Sequence, residues 1–159
     1  MIPVSVCIIA KNEEKNIEKC LQRLHKHPLE IIVVDTGSTD RTRQLAGKYA
    51  DRVLDFPWCD DFAKARNFAI SQAANDWVLM IDCDEFVEKF DFRETQRLMT
   101  EFPNAIGQLY RDNICYDKDK NILHSYDYVE RLFNRNYYKY EGSIHEQVVS
   151  IDGSELLGF

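Results

Sequence analysis

Three short runs of this sequence are almost continuously apolar and rich in β-branched residues: VSVCIIA at 4–10, EIIVVD at 30–35 and DWVLMID at 76–82. A weaker run, DRVLDFP, lies at 51–57. The segments between them have helical spacing. EKNIEKCLQRLHKH (14–27) places Ile17, Cys20, Leu21 and Leu24 on one face, and Pro28 stops it. STDRTRQLAGKYA (38–50) opens on capping-type residues, and DDFAKARNFAISQAA (60–74) offers Asp60 or Asp61 as its cap. Strands without polar alternation need cover on both faces, and alternation with helices supplies it. The first 85 residues therefore predict a β-α-β-α-β-α-β unit around a parallel sheet.

The rest of the chain has a different character. DFRETQRLMTEF (91–102) predicts a helix, and residues 105–151 are richer in Tyr, Asn and β-formers. YDKDKN (116–121) predicts a hairpin turn between two or three antiparallel or mixed strands. At 159 residues the length suits one domain.

Charge and cysteine usage exclude several classes. The net charge is −7, which argues against a nucleic-acid binder. No apolar run reaches the roughly 18 residues of a membrane span, and the N-terminus has neither a basic n-region nor a cleavage site. The cysteines, Cys7, Cys20, Cys59, Cys83 and Cys115, are odd in number and widely spaced. They predict reduced thiols rather than a disulfide framework or zinc site.

Each strand is followed by a polar cluster: KNEE, DTGSTD, WCDDFAKARN and DCDE. In open α/β sheets ligands bind beyond the carboxyl ends of the strands, so four loops deliver polar groups to one rim. The last is the most demanding, because Asp82, Asp84 and Glu85 repel one another unless something positive holds them. In an extended segment Asp82 and Asp84 share a face, and their hard oxygens suit Mg²⁺ or Mn²⁺ bridging to a diphosphate. The plainer alternative is two solvated acids capping the next helix. Asp35 could accept from a nucleobase or ribose, or be an ordinary turn aspartate. Lys11 and Arg66 could meet phosphates, or pair internally with the many acids. Neither a dinucleotide fingerprint nor a P-loop is present. Tyr110, Tyr116, Tyr126 and Tyr128 could stack on sugar rings, but half-buried sheet positions explain them more simply.

Taken together, CIIAKNEEKNIEKCL, VVDTGSTDRT, FPWCDDFAKARN, WVLMIDCDE and YEGSIHE resemble family 2 glycosyltransferases of the GT-A fold. They are most similar to a bacterial subgroup of lipopolysaccharide-core β-1,4-glucosyltransferase-like and peptide S-glycosyltransferase-like enzymes. The matches run from about residue 4 to 147.

The resemblance implies a mostly parallel central sheet flanked by helices with a mixed or antiparallel C-terminal part. It implies a single GT-A domain over 1–159, with a nucleotide-binding half at 1–85 and an acceptor-side half at 86–159. It implies transfer with inversion from a nucleotide-diphosphate sugar, foremost a UDP-sugar, assisted by Mg²⁺ or Mn²⁺. The acceptor is a glycan, lipid-linked saccharide or peptide. The expected location is cytoplasmic, with peripheral contact at the inner membrane face open. Ala10, Lys11, Asn12, Glu13, Asp35, Arg66, Asp82 and Cys83 are the implied donor-binding residues. Asp82, Asp84 and His145 are the implied metal ligands. Glu146 is the expected base, with His145 as a ligand or substitute base and Asp127 and Glu130 as weaker candidates. Family members continue past the HE element with helices that complete the acceptor site, so truncation at the C-terminus is expected. The rival readings are a sugar nucleotidyltransferase, against which KNEEKN argues, and a non-catalytic nucleotide-sugar or glycan-binding module.

Overall fold

The computed structural model describes residues 3–155 and 158. In chain order it contains β1 (Val4–Ala10), α1 (Ile17–Leu24), β2 (Glu30–Asp35), α2 (Thr42–Ala46), β3 (Arg52–Asp55), α3 (Phe62–Ser71) and β4 (Trp77–Met80). There follow α4 (Phe92–Glu101), β5 (Gly107–Tyr116), β6 (Ile122–Asn134), β7 (Tyr138–Glu141) and β8 (Gln147–Ser150). The main sheet has the order β3-β2-β1-β4-β6-β5. Its first four strands are parallel, β6 runs antiparallel to β4, and β5 antiparallel to β6. A second sheet pairs β7 with β8.

Successive residues of the apolar strands feed two cores, one on each face. Val4, Val6 and Ile8, Ile31 and Val33, and Trp77 and Leu79 enter one core with the buried face of α1. Cys7, Ile32, Val34, Val78 and Met80 enter the other with Ala69 and Ile70 of α3. This period-two division is why these strands carry no polar face.

Several elements differ from expectation. The first two helices are shorter than 14–27 and 38–50. Before α1 the Glu13 carbonyl accepts from Asn16 and Ile17, and Asn12 has a φ of 56°, so the loop turns before the helix begins. Asp40 accepts from the Thr42 backbone at 2.9 Å, which delays α2. Asp61 caps α3, accepting from the Lys64 N–H at 2.9 Å. The C-terminal part contains four strands rather than two or three, all antiparallel. No helix among the described residues is long and apolar enough to cross a membrane.

The tyrosines of the β5–β6 hairpin are not half-buried. Tyr110, Tyr116, Tyr126 and Tyr128 are 58–69% exposed. Tyr110 and Tyr126 stack on each other with centroids 5.5 Å apart, so those ring faces meet each other rather than a sugar. All five cysteines are free.

Candidate active site

The ends of β1 and β2 are joined through their loops. The Ala10 carbonyl accepts from the Thr36 N–H at 2.9 Å, continuing the ladder one residue beyond the strands. The Asn12 N–H donates to Ser38 Oγ at 2.9 Å, while its Oδ1 accepts from the Thr39 N–H at 2.8 Å. The Glu13 N–H donates to Thr42 Oγ1 at 2.7 Å. Asp35 is buried at the end of β2. Its Oδ1 accepts from Gly37 and Ser38, both at 2.7 Å, in a turn where Gly37 has a φ of 104°. Its Oδ2 is buried with no partner. Asp35 thus shapes the turn with one oxygen, while the other is left unsatisfied. Lys11 is exposed, with Nζ 5.9 Å from the Trp58 ring centre, which links the first loop to the third.

The acidic turn after β4 answers to arginines. β4 ends at Met80, and the Glu85 N–H donates to the Asp82 carbonyl at 3.0 Å. Residues 82–85 are a turn, so Asp82 and Asp84 do not lie along an extended strand. Arg66 Nη2 donates to Asp82 Oδ1 at 2.8 Å and Arg131 Nη2 to Asp82 Oδ2 at 2.9 Å. Arg131 also reaches Glu85 at 2.6 Å, and Arg111 reaches Glu85 at 3.3 Å. Burial pushes the Asp82 carboxyl up, but Arg66 and Arg131 together outweigh it and hold the group below its ordinary value. The positive partners of the acid cluster are therefore guanidinium groups.

Arg66 ties this turn to the far end of the chain. Its Nε donates to Glu146 Oε1 at 2.6 Å, and both side chains are largely buried. Two further contacts of α3 make the meeting possible. The Phe62 N–H donates to the Ser143 carbonyl at 3.0 Å. Asn67 makes a two-way pair with the backbone of Tyr140, at 2.8 and 2.9 Å. The Gly142–Glu146 loop is tight: Gly142 and His145 have φ of 103° and 56°, and a Cβ on Gly142 would lie 3.5 Å from the Glu146 Cα. His145 is exposed on this loop.

The expected residues divide. Asp82 and Glu146 are joined through Arg66. Cys83 is buried, with its thiol donating to the Ile9 carbonyl at 3.6 Å, so only its backbone could touch a donor. Asp127 is engaged by Arg111 at 2.6 Å, which leaves it a poor base, and Glu130 lines a cavity of about 380 Å³ with Arg131, Tyr140 and Glu146.

The metal implied by the resemblance meets a divided donor set. Both oxygens of Asp82 are occupied by guanidinium groups, so as arranged it does not fit as a ligand. Asp84 fits: it is exposed and accepts no hydrogen bond among the described residues. Among those residues no three His, Cys, Asp or Glu side chains converge as a metal site.

Arg131 and Tyr140 were missed by sequence reading. Gly107 pairs with Leu132 but Gln108 with Glu130, so Arg131 is the extra residue of a β-bulge. Bulges re-aim side chains, and this one sits where β6 meets the acids. The only sequence signal was an arginine entering the apolar run of YVERLF.

The family profile described as Glycosyl transferase family 2 matches residues 5–152. The chain belongs to this family. A glycosyltransferase of Rickettsia typhi, RT0209, is 40% identical over 134 residues, covering 84% of this chain and 43% of its own length. The lipopolysaccharide core biosynthesis glycosyltransferase LpsC of Rhizobium meliloti is 38% identical, covering 55% of this chain and 34% of its own. The structure of S. aureus TarS 1–349 in complex with UDP-GlcNAc superposes with a TM-score of 0.59 at 29% identity, covering 65% of this chain and 33% of that one. The expected GT-A-type α/β architecture is thereby borne out. The chain spans under half the length of these relatives.

Proposed function

We propose that this chain binds a nucleoside-diphosphate sugar, foremost a UDP-sugar, and passes the sugar to an acceptor hydroxyl or thiol with inversion. The observation that carries the reading is the bridge from Asp82 through Arg66 to Glu146, which fastens the donor rim to the HE loop. Asp35 Oδ2 takes the base or ribose. The family match and the nucleotide-sugar complex of TarS support a donor of this class. Residues 1–85 supply most of the donor half, and 86–159 supply the acceptor half together with the residues that close over the donor's diphosphate.

Inversion in one displacement needs a base for the acceptor proton and relief for the departing diphosphate. Glu146 supplies the base. Arg66 engages its Oε1, while Oε2 accepts no hydrogen bond among the described residues, and Glu146 lines the cavity. Arg66 thereby fixes the carboxylate's position without closing it to a proton. A divalent cation, when bound, would neutralise diphosphate charge, with Asp84 and the exposed His145 as the residues to hold it.

A second reading is a module that binds the donor without turnover; it is favoured by the ion pairs that hold Asp82 and Glu146. Incubation with UDP-sugars and Mn²⁺ separates the two. A transferase domain slowly releases UDP by transfer to water, and a binding module shows calorimetric binding with no release. Absence of both overturns the proposal.

A further inference from the structure

Four buried side-chain N or O atoms lack a hydrogen-bond partner among the described residues, and one is Asp35 Oδ2. The other three are Nη1 of Arg66, Nε of Arg131 and the hydroxyl of Tyr140. They belong to one cluster. The Arg66 guanidinium lies 5.3 Å from the Tyr140 ring centre. Arg131 lies beside the Tyr140 hydroxyl and favours its ionisation, yet the hydroxyl finds no acceptor for its own proton among the described residues. Arg131, Tyr140 and Glu146 line the same cavity.

Burying a donor without an acceptor costs free energy, and more so for a charged one. All three groups present N–H or O–H. Guanidinium cannot lose its proton. Burial outweighs both arginines in raising the Tyr140 phenol above its usual range, so at neutral pH it too is a donor. Three donors gathered without acceptors suit an anion, and Arg pairs strongly with phosphate. The carboxylates of Glu130 and Glu146 on the cavity wall repel a bare anion but accept from hydroxyls. A phosphate that carries a sugar satisfies both sets at once.

We infer that Arg131 Nε and the Tyr140 hydroxyl, with Arg66 Nη1, form a cradle for the sugar-bearing phosphate of the donor and for the charge it gains on departure. This rests on the function proposed above. In the step, the bond from the anomeric carbon to the phosphate oxygen breaks and its electron pair stays on that oxygen. The acceptor atom forms the new bond, and its proton goes to Glu146. Arg131 and Tyr140 strengthen their hydrogen bonds to the leaving oxygen and transfer no proton.

Tyr140→Phe tests this directly, because it removes only the hydroxyl, whose proton has no acceptor among the described residues. UDP and uridine are titrated calorimetrically into the wild type, Tyr140→Phe and Arg131→Lys with Mn²⁺ present, and Tm is recorded without ligand. The expected result for Tyr140→Phe is an unchanged or higher Tm, uridine binding as in the wild type, and UDP binding weakened roughly 5–10-fold. Arg131→Lys keeps the charge but loses the fork, and weakens UDP in the same selective way. If both variants bind UDP as tightly as the wild type, the cradle is overturned while the donor reading stands. A lower Tm for Tyr140→Phe with unchanged UDP affinity assigns the hydroxyl a structural role and overturns it equally. If the wild type binds neither UDP nor uridine, both readings fall.

Discussion

Arg66 holds Glu146 through a single hydrogen bond from Nε to Oε1 at 2.6 Å, between side chains 80 positions apart in sequence and both nearly excluded from water. Such a carboxylate is oriented before any substrate arrives, and that defines what a substitution should do. Glu146→Gln retains an oxygen for Arg66 but cannot take a proton. Transfer should fall about 10²–10⁴-fold, the usual worth of a positioned base, with UDP affinity within a few-fold of the wild type. Steady-state kinetics of a transfer-competent form should therefore show the loss in kcat rather than donor KM. Full turnover in Glu146→Gln moves the base to Glu130, which lines the same cavity.

Asp84 and Asp82 should separate under metal titration. Asp82 is neutralised by two arginines, whereas Asp84 is exposed. EDTA should weaken UDP binding by the wild type, and Asp84→Asn should match the EDTA-treated wild type whether or not Mn²⁺ is added. Equal UDP affinity with EDTA and Mn²⁺ in the wild type would remove the cation from the mechanism.

Asp35 has two oxygens with different tasks, so two substitutions should diverge. Asp35→Asn keeps an oxygen for Gly37 and Ser38 and replaces the unpartnered one with an amide. Its Tm should change little while nucleotide affinity drops by about 1–3 kcal/mol, the scale for a hydrogen bond involving a charged group. Asp35→Ala should lose Tm as well, because both turn N–H groups lose their acceptor. Calorimetry beside thermal melts checks both, and unchanged nucleotide binding in Asp35→Asn makes Asp35 a turn residue alone.

How much of this was legible follows from the range over which each signal acts. The parallel strands were readable because burial on both faces removes polar residues from the interior of runs such as EIIVVD. The Asp61 cap and the α1 face were equally local. The partners of Asp82 were not. Arg66 is 16 positions away and Arg131 is 49, and the bulge that turns Arg131 toward the acids depends on a register shift between two strands. The exposed tyrosines failed for a related reason. Alternation along β5 and β6 signals a strand with two unlike faces, but which face is covered depends on what packs above it.

The acid side of the stability curve should report the arginine grip on Asp82. The folded-state pKa of this carboxyl is below its ordinary value, with Arg66 and Arg131 overcoming the opposing effect of burial. A carboxyl depressed on folding contributes stability that is fully present above its unfolded pKa of about 3.9 and is lost as pH falls through the lower folded value. Asp82 should thus add nothing to the pH dependence between about pH 5 and 8, and should steepen the loss of stability below about pH 4. Asp82→Asn should be less stable than the wild type at neutral pH, because Arg66 and Arg131 keep their buried charge and each is left with one carboxylate partner instead of two, Glu146 and Glu85 respectively. The gap between the two proteins should close as pH drops below 4, since protonation leaves the wild type with a neutral group as well. Urea melts at pH 7, 5, 4 and 3 measure that gap, and a difference that stays constant to pH 3 would show that the two arginines do not stabilise the ionised form.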